Sequence, residues 1–456
     1  MLTFFEYFYY VEYKIFFRLC CNNYYSEKHP LKEAKYQFKK IYLSLLNYVG
    51  LLHFKKEIVK YKLEVFKKYL DFNDEIEELD VDEKTLKKLF KKVLKNYFKL
   101  SNFKFYTYKY IFIFDCYVLF GESDKKAVQL LIKELEKIVP PLYCYEISEV
   151  YKNLYENFTL DSKFFISEEM LNKFYDIKKY NESKESNIVF TATMSTGKST
   201  LINAIIGKNL APSMSIACTA NIANFINSPV KENFINYFDK NGIKLFLDSD
   251  ETKKFIGNSN YCYINTYFNS VLSKKKVNII DTPGVNYSED KSHSEITRNE
   301  LRNRDIDILV YVTSILTWGT NDEYEHLKFI KENVKYKKMV VVINKIDEIK
   351  TKDSTVEENI LNATKYLLKW NFKDLIICPL SAYIGDVLKR KILNKKLSEM
   401  ENIFFPLYVK KFANEKEIEL SKFYKINLED KKTSELMKAY INSGLPMFEQ
   451  ILYNFI

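Results

Sequence analysis

Glycine and proline are scarce, ten and nine residues among 456, and glycine is almost absent from the first 183 positions. That half of the chain therefore reads as helices joined by short polar turns. Histidine is rarer still. The four residues His29, His53, His293 and His326 fall at no metal-ligand spacing, which argues against a zinc site. The seven cysteines (Cys20, Cys21, Cys116, Cys144, Cys218, Cys262, Cys378) are scattered, with no C-x-x-C pair. An odd set in mostly apolar surroundings points to buried free thiols in a reducing compartment, not to disulfides. No run of about 18 uncharged apolar residues occurs, so no membrane-spanning helix is expected. The opening stretch MLTFFEYFYYVEYKIFF is interrupted by Glu6, Glu12 and Lys14 and has neither a basic leader nor a small-residue cleavage site. A signal peptide is not expected, and the default is a soluble cytoplasmic protein.

Charge excludes a further class. Seventy basic residues face 60 acidic ones, for a net charge of +10, and the two signs are interspersed. No nucleic-acid-binding stripe is present, so no nucleic-acid partner is expected. Tyrosine and phenylalanine are abundant at 36 and 35 residues, a bias that the codons of an AT-rich genome account for. A chain of this length holds two or three domains at about 150 residues each.

Two patterns divide the chain. Residues 1–183 read as an all-α region with helices over 31–70, 80–100, 124–138, 145–158 and 167–179, broken at Pro140-Pro141. In residues 80–100, Leu86, Leu89, Phe90, Val93, Leu94, Tyr97 and Phe98 recur at helical spacing. Lys87, Lys88, Lys91, Lys92 and Lys95 take the opposite face, and Asp82 is placed to cap the start. Such a helix fits a bundle with a solvated lysine face, with an anionic membrane as the alternative surface. The polar run KKYNESKES, residues 178–186, is the linker candidate. Beyond it, apolar runs at 188–191, 277–280, 308–313, 339–343 and 375–378 alternate with helical stretches. That alternation predicts an α/β domain over 184–456, a mostly parallel sheet flanked by helices. Asn241-Gly242 is placed for a hairpin turn, and residues 386–440 read as a charged helical insertion.

The chemistry sits at the ends of those apolar runs. TATMSTGKST, residues 191–200, resembles the phosphate loop G-x-x-x-x-G-K-[ST], with Ala192 in place of the first glycine. Backbone N–H groups of Thr196, Gly197, Lys198, Ser199 and Thr200 would face the phosphates, Lys198 would neutralise their charge, and Ser199 would hold Mg²⁺. VNIIDTPG supplies Asp281 for the Mg²⁺ shell and the Gly284 N–H for the γ-phosphate. VVVINKID supplies Asn344, Lys345 and Asp347; a carboxylate at Asp347 accepts from guanine N1–H and its amine, a donor pair adenine lacks. LIICPLSAY places Ser381 and the Ala382 N–H near the guanine O6. Four motifs in this order, each ending a strand, place a ligand at the carboxyl edge of an open sheet.

With those residues in place, the sequence resembles the dynamin superfamily of large GTPases, in particular its bacterial members. The match covers roughly residues 186–384 and a closing helix at SGLPMFEQILYNFI, where Pro446 is placed to start the helix. Ser195, Gly197, Lys198, Ser199 and Thr200 fit the family's loop. LAPSMSIACTANI, residues 210–222, resembles its mobile loop, with Thr219 as the essential threonine. The resemblance implies Mg²⁺-dependent GTP hydrolysis, with catalytic roles for Ser195, Lys198 and Thr219 and with Ser199, Thr219 and Asp281 at the metal. It also implies GTP and GDP as ligands, GTP-dependent self-association, and a membrane surface at the inner face of the membrane or a partner dynamin-like protein. Met194 stands where eukaryotic dynamins carry a water-orienting glutamine. A GTP-binding switch or scaffold with little hydrolysis is therefore the second reading.

Overall fold

The computed structural model describes residues 29–52, 54, 56–101, 104–120, 125–138, 144–157, 168–212, 221–229, 231, 235–285, 291–349, 355–415, 418–424 and 434–456. Thr219, the Pro140-Pro141 break and the aromatic N-terminal stretch lie outside these residues. The chain divides at Glu182 and Ser183 into two compact units.

The first unit is mainly helical: α1 (Tyr36–Leu51), α2 (Lys56–Tyr69), α3 (Glu83–Leu94), α4 (Tyr108–Phe120), α5 (Lys125–Ile138), α6 (Cys144–Tyr151) and α7 (Glu168–Glu182). Helix α4, YKYIFIFDCYVLF, is apolar all round and its residues from Ile111 to Phe120 are all buried, so it forms the centre of the unit. Phe112 meets Tyr42 of α1 and Phe90 of α3 edge-on, at 5.1 and 5.7 Å between ring centroids. The one acid in α4, Asp115, is buried but satisfied: it accepts from Tyr42 Oη at 2.6 Å and pairs with His29 Nε2 at 3.1 Å.

Helix α3 is capped by Asp82, whose carboxylate accepts from the Thr85 N–H at 2.6 Å, and it buries Leu86, Phe90, Val93 and Leu94. It stops four residues before the apolar periodicity does. Tyr97 and Phe98 belong to a strand, β1 (Tyr97–Ser101), paired antiparallel with β2 (Lys104–Thr107). The first unit is therefore not purely α. Tyr97 is 62% exposed while Phe98 is buried, the alternation of a strand.

The second unit is built on a mixed nine-stranded sheet. Its strands are β3 (Ser186–Ala192), β4 (Ile222–Asn227), β5 (Ile235–Asp239), β6 (Gly242–Leu247), β7 (Tyr261–Thr266), β8 (Val277–Asp281), β9 (Ile308–Ser314), β10 (Lys338–Asn344) and β11 (Leu375–Pro379), in the order β11-β10-β9-β3-β8-β4-β7-β5-β6. From β11 to β8 all pairs are parallel. Beyond β8, strand β4 runs antiparallel to it and β5 antiparallel to β7 and β6, so the far end of the sheet departs from the parallel pattern. The β5–β6 hairpin turns at Lys240 and Asn241, one residue earlier than Asn241-Gly242, because Asp239 pairs with Gly242 and its carboxylate accepts from the Asn241 N–H at 2.8 Å.

The parallel strands are buried on both faces. Ile188, Phe190 and Ala192 point into one apolar layer and Val189 into the other, the period-two alternation of a strand. Helices α8 (Lys198–Ile206) and α16 (Leu445–Phe455) cover the first face with Leu201, Ile205, Phe448 and Leu452. The second face is covered by α10 (Lys291–Asn303), α11 (Asn321–Asn333) and α12 (Val356–Leu368), through Leu301, Leu327, Ile330 and Ile360. Helix α9 (Ser249–Gly257) joins the hairpin to β7, and α13 (Ala382–Ile392), α14 (Glu399–Asn414) and α15 (Glu435–Asn442) lie between β11 and α16. Pro446 occupies the first turn of α16.

Candidate functional site

The chain order reverses at β3, which has β8 on one side and β9 on the other. Loops leaving β3, β8, β10 and β11 therefore open on one carboxyl edge at a topological switch point. The loop after β3 carries Met194 to Gly197 into α8.

Ala192 ends β3 beside Val312, is fully buried, and has no left-handed backbone. The methyl packs into the core, so this position requires small size and not a glycine's conformation. The left-handed residues come later, at Ser195 (φ 61°) and Gly197 (φ 86°). Gly197 is constrained twice, since a Cβ there would lie 2.4 Å from Asn344 Nδ2 as well as on a backbone that side chains avoid. Thr196 is buried, with its hydroxyl donating to the Thr193 carbonyl at 3.3 Å. Ser199 and Thr200 lie half-buried in the first turn of α8.

Lys198 reaches across to the end of β8 and forms a direct ion pair with Asp281, both side chains being about one-tenth exposed. The lysine expected at the phosphates and the acid expected at the metal are thus in contact. After β8, the Thr282 hydroxyl donates to the Phe190 carbonyl at 2.9 Å, holding the start of the DTPG turn to β3. Gly284 packs on Met194: a Cβ on Gly284 would stand 3.3 Å from Met194 Cγ. Met194 itself is 37% exposed.

Asn344 joins the NKID and LSA motifs to the loop after β3. Its side-chain amide donates to the Thr196 carbonyl at 2.9 Å and its Oδ1 accepts from the Ala382 N–H at 3.0 Å. One buried side chain ties the loops after β3, β10 and β11 together. Lys345 follows in a left-handed conformation (φ 65°). Ser381 caps α13, accepting from the Ile384 N–H at 3.3 Å, and its hydroxyl donates to the Asp347 carboxylate.

Several supporting residues carry no motif. The Ser381 N–H donates to the Ser443 carbonyl at 3.0 Å, and Tyr424 Oη donates to the Pro379 carbonyl at 2.8 Å. Gly444, at φ 80°, lies so close that a Cβ would meet the Pro379 carbonyl at 2.6 Å. Lys411 of α14 donates to the Asp347 carbonyl at 3.3 Å. Their distance in sequence from the motifs leaves no spacing to detect. Only Ser443 and Gly444, next to the recognised closing helix, had a signal nearby.

The donor set fits Mg²⁺. Among the described residues no group of three or more His, Cys, Asp and Glu side chains is placed to hold a metal. A lone carboxylate, Asp281, beside the hydroxyl-bearing start of α8 is what an ion held largely by phosphates and water requires.

Residues 188–346 match the sequence profile of the dynamin family. That segment is similar to the dynamin family. Among curated relatives, the "uncharacterized protein in xynA 3'region" of Caldicellulosiruptor sp. is 30% identical over 248 residues, covering 52% of this chain and 58% of that protein. Dynamin-like protein 1 of Campylobacter jejuni is 24% identical over 278 residues, covering 49% of this chain and 37% of its own. The chain thus spans about half the length of the curated relatives it matches, between 37% and 58%. Among solved structures, an oligomerised bacterial dynamin pair described as sensing and tethering membranes is similar at 17% identity and a TM-score of 0.35, over 97% of this chain and 76% of that one. The dynamin-family match starts within β3 and ends at Ile346, so it contains the phosphate loop, DTPG, Asn344 and Lys345 and excludes Asp347, Ser381 and Ala382.

Proposed function

We propose that this chain binds GTP at the carboxyl edge of the sheet and hydrolyses it to GDP and phosphate with Mg²⁺. The observation that carries this reading is the junction made by Asn344, which holds the phosphate loop, Asp347's loop and the Ala382 N–H in one constellation. In that constellation Asp347 accepts from the guanine N1–H and amine; the Ala382 N–H, which donates to Asn344 Oδ1 here, would have to turn from it to reach O6. Lys198 leaves Asp281 for the β- and γ-phosphates, and the α8 N-terminus adds backbone donors. Ser199 and Asp281 would hold Mg²⁺, which supplies charge neutralisation between the phosphates. Thr219 completes the proposed set, and Ser195 faces the transferred phosphate. Catalysis of this kind is positioning and charge stabilisation, so a completing element supplied by a second copy raises turnover. GTP-dependent self-association and attachment to a membrane surface belong to the same reading.

Phosphate release measured against protein concentration tests it. Turnover per molecule that rises with concentration and disappears in Lys198→Ala supports the reading. Turnover that survives Lys198→Ala contradicts the site. The second reading, a GTP-dependent switch with little hydrolysis, is favoured by the Met194 side chain, whose Cγ lies against Gly284 where a water-orienting amide would be expected. A flat, near-zero rate with intact GTP binding would select it.

A further inference from the structure

Helix α14 touches the Asp347 loop through Lys411, and its composition is unusual for a surface helix. Its inner face packs Phe405, Tyr408, Val409 and Phe412 against the second apolar layer. The outer face is apolar too: Met400, Ile403, Phe404 and Leu407 are 62%, 66%, 39% and 58% exposed. These positions recur as i, i+3, i+4 and i+7, one continuous stripe. An apolar stripe of this kind on a soluble helix marks a surface that something covers.

The charges around the stripe indicate what covers it. Between Lys391 and Lys410 the exposed charged residues are Lys391, Lys396, Glu399 and Lys410, three bases to one acid. The nearby carboxylates of Asp386 and Glu401 are taken up by Arg390, at 2.8 and 3.0 Å. Among the described residues of this stretch Glu399 is the one exposed acid, so bases predominate along the ridge. Met400, Ile403 and Leu407, each more than half exposed, stand out as a ridge, while Phe404 leans on Tyr408. A fluid lipid interface accommodates such a ridge without a matching shape, whereas a protein partner must supply a complementary channel.

We propose that the outer face of α14 is a lipid-binding surface, inserting Met400, Ile403, Phe404 and Leu407 between the headgroups of an anionic membrane, with Lys391, Lys396 and Lys410 on its phosphates. This deepens the membrane part of the proposed function and is independent of its GTP part. Lys411, on the same helix, holds the Asp347 carbonyl, so the surface is fixed to the guanine loop.

Flotation of the full chain with vesicles of equimolar phosphatidylcholine and phosphatidylglycerol, and with phosphatidylcholine alone, tests the proposal without nucleotide. The wild type is expected to float with the anionic vesicles only. Ile403→Asp with Leu407→Asp lowers the bound fraction at least about tenfold, the effect of withdrawing two large apolar side chains. Lys396→Glu with Lys410→Glu, which leaves the core untouched, also weakens binding and removes its salt dependence. GTP affinity stays unchanged in both. Equal flotation of wild type and both variants overturns this surface while leaving membrane attachment standing. A wild type that does not float overturns both. A wild-type dimer that Ile403→Asp with Leu407→Asp converts to monomer, with no lipid binding by either, assigns the stripe to a second copy and overturns the lipid proposal.

Discussion

The Asn344 side chain donates to the carbonyl of Thr196 at 2.9 Å while lying 98% buried. That bond holds the loop that would surround the phosphates to the loop that would read the base. Replacing Asn344 by alanine leaves the Thr196 carbonyl and the Ala382 N–H without this partner. Two buried groups left unsatisfied cost about 1 to 3 kcal/mol each. Asn344→Ala is expected to weaken GTP binding by at least about tenfold and to lower the urea midpoint. Binding of a fluorescent GTP analogue, with urea unfolding in parallel, reads both. An unchanged affinity would show that the junction does not organise the site.

The phosphate loop predicts opposite outcomes at its two small residues. Ala192→Gly restores the motif's first glycine but removes a buried methyl from a strand end and adds backbone freedom. The expected result is a stability loss of about 0.5 to 1.5 kcal/mol with nucleotide affinity unchanged. Gly197→Ala places a Cβ against Asn344 on a left-handed backbone, a strain of about 1 to 2 kcal/mol before the clash. It is expected to abolish or severely weaken binding. Isothermal titration of both variants separates the cases, and equal affinities would contradict the assignment.

Much of this was legible beforehand because the relevant signals are local. Apolar runs ending in DTPG, NKID and LSA mark parallel strands, and Asp82 ahead of α3 marks a cap. What was not legible depends on pairing between distant segments. The Leu86-to-Phe98 periodicity runs through the end of α3 into β1, because Phe98 is buried for its strand face and not for a helical one. The antiparallel entry of β4 beside β8 has no marker in IANFIN. Ala192 departs from the motif's first glycine, and its buried, extended place at the end of β3 shows why a methyl fits there. Tyr424 supports the LSA loop from a position with no motif of its own, and Ser443 and Gly444 do so from the start of the SGLPMF stretch.

Beneath the phosphate loop, the Thr191 hydroxyl meets His326 Nε2 at 2.8 Å in a fully buried setting. Burial, reinforced by the nearby Arg298 guanidinium, pulls the His326 pKa from 6.5 down to about 3. The unfolded chain takes up that proton near pH 6.5 and the folded chain does so only near 3. Stability from the neutral ring is therefore fully present above pH 6.5 and is lost as pH falls towards 3, up to about 4 to 5 kcal/mol. Urea midpoints between pH 7 and about pH 4 should fall more steeply in the wild type than in His326→Gln. Parallel curves would contradict a buried neutral histidine.

The central claim is that the Asp347 carboxylate reads guanine. Competition binding of GTP, ATP and XTP to the wild type and to Asp347→Asn tests it most directly. The wild type should prefer GTP over ATP by at least about a hundredfold, the size of a lost buried donor pair. Asp347→Asn should lose GTP and gain XTP, because an asparagine amide can donate to the xanthine carbonyl. A wild type that binds ATP as tightly as GTP, or a variant whose preference is unchanged, would contradict the account.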